Sequence, residues 1–339
     1  MVVFIIVNLQ LIKNIKILRN FLFILAVFNC LILTTCVNDF DRTNCVSQDL
    51  KVIRKRGKIV AVTKLNSINY FVYQGQPMGF QFELLQRFAE YSGLKLELTV
   101  SNDMDDITTK LLAGKCDIVA ISLPVTKDQG KYFDFTEPLM QSRQVLVQRK
   151  PDNWKNLSAS ELSSSLIHSP IDLAGKTIVV QKGSAYADRL KNIANEIGSK
   201  IDIIEVPEDP EQLLQFVASG EIDYTVCDER IAQVNQNYYP QIDISTVVSF
   251  PQNLSWAIRM NSPELQAELN KWLAQMKQSS MLAILYNKYY QNQWSTQMVN
   301  SDYFVINTGR ISPYDDDLKK YGDELHWDWR LLAALVCQE

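Results

Sequence analysis

The stretch FQFELLQRFAEYSGLKLELTV, residues 80 to 100, decides the fold. Apolar residues recur at helical spacing through Phe80, Leu84, Leu85 and Phe88, and Gly93 supplies the left-handed stop. LKLELTV then alternates apolar and polar residues with the period of a half-buried strand. Upstream, KIVAV (58–62) is a short apolar strand. Downstream, DDITTKLLAG (105–114) is a helix ended by Gly114, and CDIVAISL (116–123) is a buried strand. Strands alternating with helices of this length predict βαβ units and a mainly parallel sheet.

The pattern then begins again. GKTIVVQKGSAYADRLKNIANEIG (175–198) reads as strand, turn and helix, KIDIIEV (200–206) as a strand, PEQLLQFVASG (210–220) as a helix, and EIDYTVCD (221–228) as a strand. Two similar α/β lobes are expected, joined by the extended segments QVLVQRK (144–150) and TVVSFPQNLSWAIRM (246–260). The polar insert 151–172 is a surface excursion. Ser262 and Pro263 open a run to Tyr290 that reads as two helices packing back onto the first lobe. Residues 291–325 are polar and turn-rich, a linker with at least one short helix. The chain closes on DWRLLAALVCQE (328–339), whose Leu331, Leu332, Leu335 and Val336 again have helical spacing.

A chain of 339 residues, at about 150 per domain, has room for two units, and 47% hydrophobic residues suffice to give each a core. The formal charge is -4 overall, and three basic residues, Lys13, Lys16 and Arg19, lie in a leader that has no acid, so the remainder carries -7. That balance does not suit a nucleic-acid partner. Two histidines, neither beside a cysteine pair, give no zinc pattern, and no motif calls for a metal or cofactor.

The leader KNIKILRNFLFILAVFNCLILTTC sets basic residues ahead of an apolar run that ends at small residues and Cys36, the layout of an export signal. LTTC resembles a lipoprotein box in which Cys36 is lipidated. An uncleaved membrane anchor is the alternative, since the run approaches the length of a spanning helix. Both place the rest outside the cytoplasm, held to a membrane. Cys116, Cys227 and Cys337 interrupt apolar runs and are expected to be buried free thiols.

The cleft between two α/β lobes is the expected ligand site. NSINYFVYQG offers Tyr70, Phe71 and Tyr73 for stacking, and SLPVTKDQG offers the hydroxyls of Ser122 and Thr126. QKGSAY places Gly183 and Ser184 at a helix start, where backbone N–H groups can hold an anion. The aromatics could equally be core, and Ser184 only an N-cap.

Together these stretches resemble the family 3 periplasmic solute-binding proteins. GKIVAV, GQPMGFQFELLQRFAEYSG and LLAGKCDIVAISLPVTKDQGKYFDFTEP look like their first lobe, and DLAGKTIVVQKGSAYADRLK and ASGEIDYTVCDERIA like their second. The resemblance covers residues 50 to 292 and implies an α/β, two-lobe periplasmic-binding-protein (type II) fold with hinge strands, plus a short C-terminal helical remnant. It also implies that Asp228 holds a ligand ammonium. Where the amino-acid-binding members carry a carboxylate-gripping arginine, this sequence has Gln129, and a neutral amide cannot replace a guanidinium against a buried carboxylate without a cost of several kcal/mol. A small amine-bearing molecule, a peptide or a muropeptide is then the expected ligand; Asp228 as a mere helix cap is the alternative.

The leader, the binding module, the linker and HWDWRLLAALVCQE also resemble the membrane-bound lytic murein transglycosylase F family, whose DWRLLAA...QES helix opens a lysozyme-like domain. That resemblance implies peptidoglycan as a partner, attachment to the outer membrane, and Glu339 at the position of the catalytic acid. Such an acid protonates the glycosidic oxygen while the sugar's own C6 hydroxyl attacks, so no second carboxylate is needed. Because the chain stops at Glu339, it is expected not to cleave glycan itself. The expected boundaries are 1–36 signal or anchor, 37–49 linker, 50–148 with 247–292 first lobe, 149–246 second lobe, 293–325 linker and 326–339 first helix of a truncated lytic domain. A stand-alone solute receptor serving an importer or a sensor is the competing reading.

Overall fold

The computed structural model describes residues 48–73, 75–127, 129–292 and 314–336. The elements run α1 (Leu50–Arg56), β1 (Lys58–Thr63), β2 (Phe71–Tyr73), β3 (Gln76–Met78), α2 (Phe80–Ser92), β4 (Lys95–Val100), α3 (Met104–Leu112), β5 (Ile118–Pro124), β6 (Phe133–Phe135) and β7 (Met140–Ser142). They continue as β8 (Gln144–Arg149), α4 (Ala159–Ser164), β9 (Thr177–Gln181), α5 (Ala185–Ile197), β10 (Asp202–Val206), α6 (Pro210–Ser219), β11 (Tyr224–Asp228), α7 (Glu229–Gln236) and β12 (Ile242–Asp243). The last described elements are β13 (Gln252–Arg259), α8 (Pro263–Gln278), α9 (Met281–Tyr286), α10 (Asp315–Leu325) and α11 (Trp329–Val336).

Two sheets form the two lobes. The first has the order β4-β1-β5-β13-β6, with β7 also paired to β13; the second has the order β10-β9-β11-β8-β12. Strands joined through helices are parallel: β1 with β4 and β5, and β9 with β10 and β11. The crossing strands β8 and β13 lie antiparallel to their neighbours. The sheets are therefore mixed, where the strand-helix alternation predicts mainly parallel ones. QVLVQRK is also more than a connector. Its residues Gln144–Arg149 pair with β11 from Tyr224 to Asp228, so the chain passes into the second lobe at Arg143, not after residue 148.

The helix read from residues 80–92 forms as its pattern demands. Phe80, Leu84, Leu85 and Phe88 are buried, and Gly93 closes α2 at φ 68° with bonds to Ala89 and Glu90. Phe88 meets Trp272 of α8 edge-on at 5.3 Å, and Trp272 stacks on Trp256 of β13 at 5.9 Å. This aromatic stack fixes the returning helix on the first lobe, as its amphipathic pattern predicts.

A buried ion cluster ties the first lobe's base. Arg259 and Asp117 are both fully buried. Arg259 donates to the carbonyls of Cys116 at 2.6 Å and Gln48 at 3.0 Å and to Asp117 Oδ1 at 3.2 Å. Asp117 Oδ2 accepts from Val60 N at 2.9 Å and from Arg56. Cys116 and Cys227 are buried and free; burial pushes the Cys116 thiol up to about 12, so it is inert.

Within residues 314–336, α10 and α11 meet where Gly322 faces Trp329: a Cβ on Gly322 would come within 3.0 Å of the Trp329 Cβ. Lys319 lies 4.9 Å from the centre of the Trp329 ring. The expected lipidation site Cys36 and the expected acid Glu339 lie outside the described residues, as does the segment 293–313. Among the described residues no helix is long and apolar enough to cross a membrane.

Candidate functional site

A cavity of about 90 Å³ lies between the lobes, bounded by the carboxyl ends of β1, β5, β9 and β11 and by the strands that cross from lobe to lobe. It has room for several waters or a small polar group. The sheet topology explains the place: parallel strands end together on one edge of each lobe, and the two edges face each other.

The loop that forms one wall depends on Gly79. Its φ is 129°, and a Cβ there would lie 2.3 Å from the Asn69 carbonyl oxygen. Bare backbone lets Phe80 N bond Ile68 O at 2.7 Å and Phe82 N bond Asn69 O at 3.2 Å, which seats residues 66–70 at the cavity rim.

Polar contacts hold the lobes together around the cavity. Ser67 of the first lobe donates its hydroxyl (2.5 Å) and its N–H (3.0 Å) to Glu211 of α6. Asn102 donates to Asp209 at 3.0 Å and accepts from Gln181 through its carbonyl at 3.1 Å. Lys64 donates to Gln181 Oε1 at 2.8 Å. Burial pushes Glu211 up to about 7 and brings Lys64 down to about 8.

Asp228 ends β11 and lines the cavity. It is the N-cap of α7 and accepts from Arg230 N at 2.8 Å. Burial raises it to about 6, while Ser142 and the N–H groups of Arg230 and Ile231 pull it back down. It is therefore largely ionised at neutral pH and partly desolvated, the state that favours an ammonium. Gln129 Oε1 and Gln144 Oε1, from residues that also line the cavity, are buried without a hydrogen-bond partner. Orphaned acceptors beside a carboxylate suit a ligand that brings N–H donors.

Of the residues singled out from sequence, the structure brings Ser122, Gln129, Gly183, Ser184 and Asp228 together at the cavity. Thr126 does not line it; its Oγ1 accepts from Gln129 N at 3.2 Å and shapes the turn that presents Gln129. The three aromatics do not reach it. Tyr70 packs edge-on against Phe82 at 5.6 Å, Phe71 is buried in the first lobe's core against Tyr289 at 6.3 Å, and Tyr73 packs on that core. The aromatic wall is instead Tyr290, which touches Phe80 edge-on at 5.3 Å and stacks on Tyr286 at 4.8 Å. Ser122 accepts from Gln81, which accepts from the Trp256 indole at 2.6 Å, so the cavity wall is linked to the core. Lys64, Gln144 and Tyr290 are the site residues that sequence reading missed.

The model of the bacterial extracellular solute-binding proteins, family 3, matches residues 59–292. The chain belongs to that family. An ancestral amino acid-binding protein, a precursor of cyclohexadienyl dehydratase, superposes on this family 3 chain with a TM-score of 0.59 at 29% identity, over 71% of this chain and 99% of that one. An ancestral arginine-binding protein bound to arginine does so with a TM-score of 0.58 at 26% identity, over 69% and 99%. The sequence is also similar to membrane-bound lytic murein transglycosylase F of Desulfosudis oleivorans, 31% identical over 299 residues, and to its namesake in Idiomarina loihiensis, 26% identical over 292. The match covers 86% of this chain in both cases, and the chain spans 62% and 61% of the length of those relatives.

Proposed function

We propose that this family 3 chain is the extracytoplasmic, membrane-attached binding module of a protein of the lytic murein transglycosylase F kind. It takes a small amine-bearing or muropeptide-like ligand into the interlobe cleft and acts in peptidoglycan turnover. The observation that carries the ligand class is Asp228, a carboxylate in a cavity wall that also holds two residues with orphaned amide oxygens, Gln129 and Gln144. The turnover role rests on the similarity to the transglycosylases over most of the chain. In this reading Cys36 carries the anchor, Glu339 stands at the acid position of the lytic domain, and the module regulates or localises that domain. Ser122, Gln129, Gly183, Ser184 and Asp228 contact the ligand, Thr126 braces Gln129, and Tyr70, Phe71 and Tyr73 support the cleft from behind.

The similarity to an arginine-bound protein favours one competing reading, a stand-alone amino-acid receptor. A thermal-shift screen of free amino acids, dipeptides and soluble muropeptides separates the two. The proposal expects peptides or muropeptides to raise the melting temperature more than any free amino acid. It also expects Asp228→Asn to weaken that binding about 10–100-fold, the worth of a charge-assisted hydrogen bond. A free amino acid as the tightest ligand favours the receptor. Unchanged affinity in Asp228→Asn removes the ammonium role.

A further inference from the structure

The cleft contains a second charge whose position no part of the proposed function uses. Lys64 follows the end of β1 and lines the cavity opposite the second lobe. Its ammonium donates to a neutral partner, Gln181 Oε1, and among the described residues it is in no ion pair. The nearest acid to influence it is Asp209, and that carboxylate is already committed: it caps α6 through Glu211 N and Gln212 N and accepts from Asn102. The fully buried cation Arg259, by contrast, is matched with Asp117. A desolvated ammonium left with one amide oxygen is unfavourable until an anion arrives.

We infer that Lys64 is the seat for an anionic group of the ligand, so that the cleft selects molecules carrying an amine and a separate carboxylate or similar anion. This deepens the binding-module reading and rests on it.

The register supports one ligand reaching both groups. Thr225 of β11 lies level with Val179 of the parallel neighbour β9, which brings Gln181, the partner of Lys64, to the same edge as Asp228. Adjacent strands are about 4.8 Å apart, so the strands that carry Gln181 and Asp228 lie one spacing apart at the backbone. A dipeptide's amine and carboxylate, at about 3.3–3.6 Å per residue, span a comparable distance. The position also explains how Gln129 is tolerated: the cleft's cation comes from β1 instead of from the turn after β5. Because Lys64 releases its proton near 8, the anion preference should be full at pH 7 and fade above pH 8.

The test is titration calorimetry on the full chain with two probe pairs that differ in charge alone: L-glutamate against L-glutamine, and L-alanyl-L-alanine against L-alanyl-L-alaninamide. The carboxylate member of at least one pair should bind tenfold or more tightly. Lys64→Met should collapse that ratio toward one, and Lys64→Arg should keep it, which a merely structural lysine would not produce. Binding with no charge preference in either pair, or a preference that survives Lys64→Met, overturns the Lys64 assignment alone. No binding of any of the four by folded protein overturns this inference, while the binding-module reading stands or falls on the thermal-shift screen with muropeptides.

Discussion

At the base of the first lobe, Arg259, Asp117 and Arg56 lie in contact, and each oxygen of Asp117 accepts a bond from an arginine. In the cleft, Lys64, Glu211 and Asp228 are also withdrawn from water, yet each faces neutral or backbone partners and no ion pair joins them. The difference teaches how to separate structural charges from functional ones. A charge matched within the protein needs nothing more, whereas charges held apart at facing strand ends are stabilised by what enters between them.

The contrast breaks first at Asp117. Asp117→Ala leaves Arg259 buried and unmatched, so unfolding in urea should show a loss of about 3–5 kcal/mol. Asp228→Asn should cost far less stability while acting on binding. A fold as stable as wild type without Asp117 would erase the distinction.

Next in size is Gly79→Ala. The cavity-rim loop needs φ 129° and bare backbone against Asn69, so the substitution should cost about 2 kcal/mol and weaken binding together with stability. Retained affinity in the face of that loss would show that residues 66–70 do not shape the site.

A smaller effect lies in the pH profile. Folded Glu211 holds its proton up to about 7, against an ordinary 4.5, so the folded state binds more protons than the unfolded chain in that window. Stability should therefore fall as pH rises from about 4.5 to 7, and Glu211→Gln should flatten the decline. Lys64 acts in the opposite sense: its folded ammonium releases its proton near 8 and the unfolded one near 10.5, so stability should rise across that interval. Melting temperatures across pH 4 to 10 check both slopes.

The smallest effect is at the surface. Lys51 and Glu264 pair at 2.9 Å with the lysine side chain 87% exposed, and Lys51→Ala should leave the melting temperature unchanged within error. A measurable drop would mean that surface pairs also carry the fold.

Much of the architecture was legible because local chemistry and global fold agree. The glycines at 93, 198 and 220 stop helices in the left-handed conformation at the positions where the apolar period ends. The sense of β8 and its membership of the second sheet were not legible, since VLV reads alike as a buried strand or an extended connector. The site was half legible. Asp228, Gln129 and Ser122 stand in stretches with recognisable patterns, whereas Lys64 looks like any lysine after a strand. Tyr290 reaches the cleft only because α8 and α9 fold back across the first lobe. Tyr70, Phe71 and Tyr73 are adjacent in sequence to the cleft loop, but the apolar core claims Phe71 and Tyr73, and Tyr70 packs on Phe82.

The central claim, that Asp228 holds an amine in the interlobe cleft, is tested most directly by titrating L-alanyl-L-alanine into the full chain from pH 5 to pH 8. With Asp228 near 6 in the empty cleft, affinity should strengthen as pH rises through 6 and then level off, and Asp228→Asn should bind weakly at every pH. Affinity that is the same in both proteins and independent of pH would contradict the account.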